Sequence, residues 1–585
     1  MKFLKNLFAS IFGTLIAFGV VFLLFFFIAA LVSDTEVIKV SPNSVLEINT
    51  NAIVKDFAPR GDDPFEELLG IYEETIGLNE ILNAIENAKH DSKIMGISIQ
   101  SLGLNAGISQ TKAIRDKIEE FKETGKFVMA YSDVYNQKSY YFASVADSIF
   151  INPIGAVDFK GLASEVLFYK DLQEKSGVSM EVIRHGKYKS AVEPFLSNEM
   201  SEANREQIST FIQSIWNELV KGIAVSRNVS EAKLNEIANN LLGRNSKLAI
   251  ENSLIDKAIY FDEYVDKLKI ASQNSTDKNL EKIKIHDYIL SGKGRLKQTS
   301  SDRIAVIYAQ GEIIYGKGNE NFIGQDLIIN ALKKARKSSA TKAIVLRVNS
   351  PGGSALASEL ILREIELTKE KLPVVVSMGD VAASGGYYLA CKADRIFAEP
   401  TTITGSIGVF GTIPNMHKLA KNIGINAEQV STNKGASYSP FEPMTDAFRQ
   451  VTTEGVEQVY TTFLTHVAAG RSMSMEEVDG IAQGRVWSGT DALANGLVDE
   501  LGSLDDAISY AAELAELSDY RTRNYPSYKK NFEDMLTGGL PFMKTKEKIL
   551  MEELGYDNYK IYESIKLLSK QKGIQARIPF VIDIK

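Results

Sequence analysis

Three pairs of segments repeat along this chain at nearly one offset. Lys93-Ile-Met-Gly-Ile-Ser-Ile-Gln-Ser-Leu-Gly103 aligns with Lys342-Ala-Ile-Val-Leu-Arg-Val-Asn-Ser-Pro-Gly352, 249 positions later. Tyr140-Tyr-Phe-Ala-Ser-Val-Ala-Asp-Ser-Ile-Phe-Ile-Asn-Pro153 aligns with Tyr387-Tyr-Leu-Ala-Cys-Lys-Ala-Asp-Arg-Ile-Phe-Ala-Glu-Pro400 at 247, and Ala249-Ile-Glu-Asn-Ser-Leu-Ile-Asp256 with Ala492-Leu-Ala-Asn-Gly-Leu-Val-Asp499 at 243. An offset drifting by a few residues is what loop insertions leave between two copies of one domain. Within a copy, short apolar strands alternate with helical segments: Ile94 to Ile99, then Thr111 to Glu123, then Phe127 to Tyr131. That alternation predicts an α/β fold, tandemly duplicated. The copies are expected at 45–298 and 299–585, with the polar stretch Ser272 to Arg303 as the joint.

Ahead of both copies, Leu7 to Val32 forms a mostly apolar run of 26 residues, longer than the roughly 20 that cross a bilayer. Residues 1–33 are therefore expected to be a transmembrane helix. Lys2 and Lys5 precede the run and Asp34 and Glu36 follow it, which sets the N-terminus in the cytoplasm and the bulk of the chain outside. The other reading is a cleaved signal peptide ending near Ala29-Ala30. No second run of that length appears, so a single-pass protein is expected. A net charge of -8 gives no reason to propose a nucleic-acid partner. The one cysteine, Cys391, forms no internal disulfide and falls in an apolar run, so a core position is expected.

Chemistry concentrates in the C-terminal copy. Val374, Val375 and Val376 are β-branched and read as a buried strand, whereas Tyr387 to Cys391 read as helical. Ser384, in Asp380-Val-Ala-Ala-Ser384-Gly385-Gly386, then sits where a strand turns into a helix. Unpaired N–H groups at such a turn suit an oxyanion forming beside a nucleophile, although a serine there can equally be a plain helix cap. Upstream, Ala343 to Val348 enters Asn349-Ser-Pro-Gly352-Gly353-Ser354, a turn able to aim two more N–H groups at one point.

Arg347-Val-Asn-Ser-Pro-Gly-Gly-Ser354 together with the stretch from Gly379 to Gly411 resembles the signal peptide peptidase A (protease IV) family, in its long, two-domain form. The resemblance covers nearly all of the chain after the apolar run. It implies a serine peptidase with a Ser-Lys dyad and tandem ClpP/crotonase-like domains, working without metal or cofactor through an acyl-enzyme. Its substrates would be cleaved signal peptides and other hydrophobic peptides. The implied setting is the bacterial inner membrane, bulk on the periplasmic side, in a homo-oligomer, a tetramer by resemblance. Within the motifs, Ser384 is the implied nucleophile, Gly352, Gly353 and Gly385 the oxyanion hole, and Ser406 of Thr404-Gly-Ser-Ile-Gly408 the residue that positions the lysine. The base is the lysine of Tyr188-Lys189-Ser-Ala-Val-Glu-Pro194, hence Lys189.

The repeat sharpens that assignment. Ser384 aligns with Gln137, Gly353 with Leu104, and Lys189 with Tyr438. Each copy has kept one member of the dyad, and the catalytic site is expected on the seam. A lysine serves as general base only when neutral, which requires burial away from carboxylates. None of the five histidines lies in a G-x-S-x-G or H-E-x-x-H setting, so neither a histidine triad nor a zinc site is expected. His185 reads as a loop residue, Lys187 as a solvated charge, and Trp487 as core packing. Two other readings stay open: a crotonase-type acyl-CoA enzyme, whose fold also pairs backbone N–H groups, and a membrane scaffold on an inactive peptidase fold. After about Tyr520 the chain is charged, and its apolar end, Ile578 to Ile584, reads as either a last strand or an oligomer contact.

Overall fold

A computed structural model describes residues 2–32, 38–49, 52–58, 75–100, 104–436, 439–528 and 574–577. In the N-terminal half, six strands lie side by side in the order Lys257–Ala258, Ser148–Ile151, Phe127–Ser132, Ile94–Ile99, Ser44–Ile48, Lys282–Lys284, every pair parallel. The C-terminal half repeats that order with Glu500–Leu501, Arg395–Ala398, Val374–Ala383, Thr341–Ser350, Arg303–Gln310 and Arg521–Tyr525, again all parallel. The offset seen in the sequence is thus a repeat of topology. Parallel sheets are covered on both faces, which is why Val374, Val375 and Val376 form an unbroken apolar run; all three are fully buried.

The strand Val374–Ala383 forks. Its first part pairs with Arg395–Ala398 and its last three residues with Ile403–Gly405. The fork opens at the carboxyl end of the sheet, where open α/β sheets place their sites, and Ser384 is the next residue. Cys391 lies in the core, as expected.

The polar stretch taken for a joint is more than that. Lys282–Lys284 is the edge strand of the N-terminal sheet, and Ile283, Ile285, Tyr288 and Ile289 are buried. Isolated apolar residues among lysines and serines hid a short strand and turn.

A third sheet joins the halves, in the order Phe322–Gly324, Glu312–Ile314, Gly352–Ser354, Ile574–Arg577, Val409–Asn415, Ser179–His185. Its last pair is an antiparallel ladder between a strand of the N-terminal half and one of the C-terminal half, from Val409 opposite His185 to Asn415 opposite Ser179. Buried polar groups also cross the seam. Arg347 Nη2 lies 3.3 Å from Asp56 Oδ1, Lys112 Nζ lies 3.2 Å from Glu399 Oε2, and Ser109 N donates to Asp380 Oδ1 at 2.8 Å.

Lys2–Val32 is one helix of 31 residues. Among the described residues, no helix is long and apolar enough to cross a membrane.

Candidate active site

Ser384 follows the forked strand directly and precedes the short helix Gly385–Ala390. Its backbone takes φ 56° and ψ −114°, which a residue with a Cβ adopts only under local constraint. The constraint is visible: Ser384 N donates to Gly405 O at 2.8 Å, and Tyr388 N donates to Ser384 O at 2.8 Å. Behind it the chain packs at glycine distance, since a methyl group on Gly386 would stand 2.7 Å from the Ser350 carbonyl oxygen.

Lys189 arrives from the other half. The ladder of Ser179–His185 against Val409–Asn415 carries the chain to the seam, and the next residues turn in beside Ser406 and Gly408. Tyr188 N donates to Gln483 O at 2.8 Å, and Gln207 Nε2 donates to Tyr188 O at 3.0 Å and to Ser190 Oγ at 2.8 Å. Gly484, at φ +79°, leaves room for this turn; a Cβ there would stand 2.7 Å from the Lys189 backbone.

The Lys189 amine is fully buried, with three oxygens around it: Ser384 Oγ at 2.9 Å, Ser406 Oγ at 3.0 Å and Ser406 O at 3.1 Å. Desolvation by burial holds its pKa well below the ordinary lysine value, and no carboxylate opposes the shift. A neutral amine has two N–H groups and one lone pair. Donation to both Ser406 oxygens leaves the lone pair for the Ser384 hydroxyl, the arrangement a general base requires. Ser406 is fixed in turn, at φ 50°, by its N–H donating to Arg485 O at 2.7 Å.

Gly352 and Gly353 lie at φ +97° and +152°, conformations that favour glycine. Gly352 N already donates to Ser350 Oγ at 3.2 Å. The turn lies against the start of the helix after Ser384: a methyl group on Gly352 would stand 2.8 Å from Gly385 N.

The structure also places the remaining candidates. Gln137 begins the helix Gln137–Ala143, the counterpart of Gly385–Ala390, and its buried side chain accepts from Lys160 N at 3.1 Å and Gly161 N at 2.8 Å. The position that aligns with Ser384 is thus tied into a loop. Leu104 is buried, whereas Tyr438 lies outside the described residues. His185 is the last residue of its strand, not a loop residue; its ring stacks on Tyr460 at 3.8 Å, and Nδ1 lies 2.8 Å from Glu457 Oε1. Lys187 Nζ lies over the Tyr188 ring at 5.1 Å. Trp487 is only partly buried, donates to Ile481 O at 2.9 Å, and lies under the Arg485 guanidinium. Sequence reasoning missed Gly484 and Gln207, which hold the lysine turn. Gly484 lay in a stretch valued only for its tryptophan, and nothing in sequence marks a glutamine on a long helix as a brace. Among the described residues, no cluster of His, Cys, Asp and Glu is arranged to hold a metal ion.

Comparison with known proteins agrees with this architecture. Residues 120–275 and 366–518 match Peptidase family S49, one segment in each half, and residues 295–435 match Clp protease. Protease 4 of Haemophilus influenzae is 38% identical over 474 residues, covering 79% of this chain and 77% of that protein. Protease 4 of Salmonella typhi is 38% identical over 80% of this chain and 77% of its own. The chloroplastic serine protease SPPA of Arabidopsis thaliana is 33% identical over 77% and 68%. A solved ClpP1 mutant from Listeria monocytogenes overlaps 35% of this chain and 94% of its own, at TM-score 0.24 and 16% identity, too distant to add detail. With matched segments in both tandem ClpP-like halves and relatives aligned across most of its length, the chain belongs to peptidase family S49, as a serine peptidase of the long, two-domain signal peptide peptidase A type.

Proposed function

We propose that Ser384 is the nucleophile and Lys189 the general base of a dyad built across the seam, the repeat at 45–298 supplying the lysine and the repeat at 299–585 the serine. The observation that carries this reading is the 2.9 Å approach of Lys189 Nζ to Ser384 Oγ inside a fully buried pocket without a carboxylate on the amine. As Ser384 Oγ adds to the substrate carbonyl carbon, Lys189 takes its proton. The oxyanion meets N–H groups of the Gly353 turn and Gly385. Lys189 then returns the proton to the departing amide nitrogen. A water molecule, deprotonated by the same amine, hydrolyses the acyl-enzyme and frees Ser384.

The substrates proposed are cleaved signal peptides and other hydrophobic peptides. A membrane setting is supported by the apolar run Leu7 to Val32, longer than the roughly 20 residues that cross a bilayer, and by Phe12, Leu15, Ile16 and Phe18, which are exposed on the helix Lys2–Val32. A single-pass anchor in the bacterial inner membrane, the bulk of the chain periplasmic, puts the dyad where such peptides accumulate. A homo-oligomeric assembly, a tetramer, completes the proposal.

The test is casein digestion by full-length Ser384→Ala, Lys189→Met and their mixture. Both single variants are expected to be inactive. The mixture is expected to stay inactive, because the ladder from Ser179 to His185 seats the lysine within its own chain. Digestion by Ser384→Ala at a comparable rate overturns the assignment.

A further inference from the structure

The turn that carries Lys189 into the site is held by one residue of the opposite half. After Gly186 the turn has the backbone N–H groups of Lys187, Tyr188 and Lys189 to satisfy. Lys189 N donates within the turn, to Gly186 O at 3.3 Å. Tyr188 N donates to Gln483 O at 2.8 Å and Lys187 N to Gln483 Oε1 at 3.4 Å, so the backbone and side chain of one glutamine take the other two. Gly186, at φ +109°, lies against the same residue: a methyl group there would stand 2.5 Å from Gln483 O.

Gln483 is itself fixed from both halves. It follows the helix Met475–Ile481 and its cap Ala482, in the left-handed region at φ 53°. Its Nε2 donates to Asp479 Oδ1 at 2.6 Å and its N–H to Tyr460 Oη at 3.3 Å. The Tyr460 hydroxyl donates its own proton to the same Asp479 oxygen, at 2.5 Å. The buried Tyr460 ring stacks in turn on His185, whose Nδ1 lies 2.8 Å from Glu457 Oε1. The half that supplies the lysine thus steadies, through His185, the tyrosine that steadies Gln483.

The two residues after Gln483 reach the other partner of the amine. Gly484 O accepts from Ser406 Oγ at 3.4 Å, and Arg485 O accepts from Ser406 N at 2.7 Å. Sending the Ser406 proton to Gly484 O leaves the lone pairs of that hydroxyl for the Lys189 amine. The span Gln483 to Arg485 therefore holds the lysine turn at one end and Ser406 at the other, and the placement of the amine follows from it.

We propose that Gln483 is a positioning residue for the general base: held by Asp479 and Tyr460, it seats the lysine turn against Ser406 so that the amine meets Ser384 in a dry pocket. The proposal rests on the dyad reading. Gln483 acts through Lys189 and not on the substrate. A looser turn lets water reach the amine, and a hydrated amine holds its proton more tightly than a desolvated one. Loss of the brace is therefore felt as a base that is harder to deprotonate, and not as weaker peptide binding.

The test is Gln483→Gly in the full-length protein. Glycine accepts the left-handed backbone and keeps the carbonyl that receives Tyr188 N, while the side-chain bonds to Lys187 N and Asp479 are lost. Labelling of Ser384 by a fluorophosphonate probe is followed from about pH 6 to about pH 10, and casein digestion supplies kcat and KM. Near neutral pH labelling is expected to slow about tenfold or more, with kcat falling alike and KM unchanged. The midpoint of the alkaline rise is expected to move up by about one pH unit. Tyr460→Phe keeps the ring on His185 but removes the hydroxyl, and should move rate and midpoint the same way, with a rate loss of about threefold. A wild-type rate and midpoint in Gln483→Gly overturn the proposal. So does a slower rate with an unmoved midpoint, which is what a merely less stable fold gives. Lys189→Met separates the two failures. If its Ser384 still labels at the wild-type rate, the dyad reading fails; if labelling is lost there while Gln483→Gly behaves as wild type, only the brace fails.

Discussion

Replacing Lys189 with methionine keeps the side-chain length and removes the amine. The loss comprises three hydrogen bonds, to Ser384 Oγ, Ser406 Oγ and Ser406 O, each worth ~1 kcal/mol net. Against that stands the cost of holding a buried lysine neutral. In the folded chain burial lowers the pKa well below the usual value, whereas in the unfolded chain the amine titrates normally. Unfolding therefore takes up a proton at any pH between the two values. Across that window wild-type stability rises with pH, and it falls as the solution is acidified. The slope is ~1.4 kcal/mol per pH unit. Acidification through that window makes neutrality steadily costlier and offsets the three bonds, so the lead of wild type over Lys189→Met should shrink between pH 9.5 and pH 7.5, by up to about 3 kcal/mol. Urea titration in detergent, followed by the fluorescence of Trp216 and Trp487, reads the difference with one reporter in each half. A gap between the two proteins that stays constant from pH 7.5 to 9.5 means the amine is charged in the folded state, and Lys189 cannot then be the base.

Three further outcomes follow from the same geometry. Ser406→Ala leaves the amine only the Ser406 carbonyl to donate to, and should lower kcat about tenfold, with the alkaline limb of the pH profile displaced rather than abolished. Gly484→Ala forces a methyl group to 2.7 Å from the Lys189 backbone at φ +79°, and should cost ten- to a hundredfold in kcat while circular dichroism stays unchanged. Asp380, raised to about 6 by burial and by Asp56, is protonated in the folded chain at pH 5 but charged when unfolded, so its contribution to stability is lost as pH rises through about 6. Asp380→Asn should then stabilise by about 3 kcal/mol at pH 8 and by roughly half as much at pH 5, as measured by urea midpoints.

Much of this was legible in the residues because the chain carries its own comparison. The offset from Lys93 to Lys342 showed one domain twice, and the topology repeats strand for strand. Ser384 stood out at its strand-to-helix turn and Lys189 through the resemblance of Tyr188-Lys189-Ser-Ala-Val-Glu-Pro194 to the family's motif, and Gln137 and Tyr438 in the opposite copy sharpened both. Short elements whose stability comes from their neighbours were not legible. Lys282–Lys284 has one buried residue, Ile283, and no alternation long enough to register. Ile574–Arg577 pairs with strands more than 150 positions earlier, and a four-residue segment carries no sign of its partner. Asp56 and Arg347 form a buried pair across the seam, 2% exposed or less, yet each looks like an ordinary surface charge in sequence. His185 was misplaced for a related reason: the ladder to Val409–Asn415 extends the strand, and no local pattern requires it.

The most direct measurement is a serine-reactive fluorophosphonate probe applied to the full-length protein, followed by tandem mass spectrometry of the labelled peptide. A single adduct on Ser384 is expected, rising with pH as Lys189 loses its proton and absent from Lys189→Met. An adduct on another serine, or undiminished labelling of Ser384 in Lys189→Met, contradicts a nucleophile activated by that lysine.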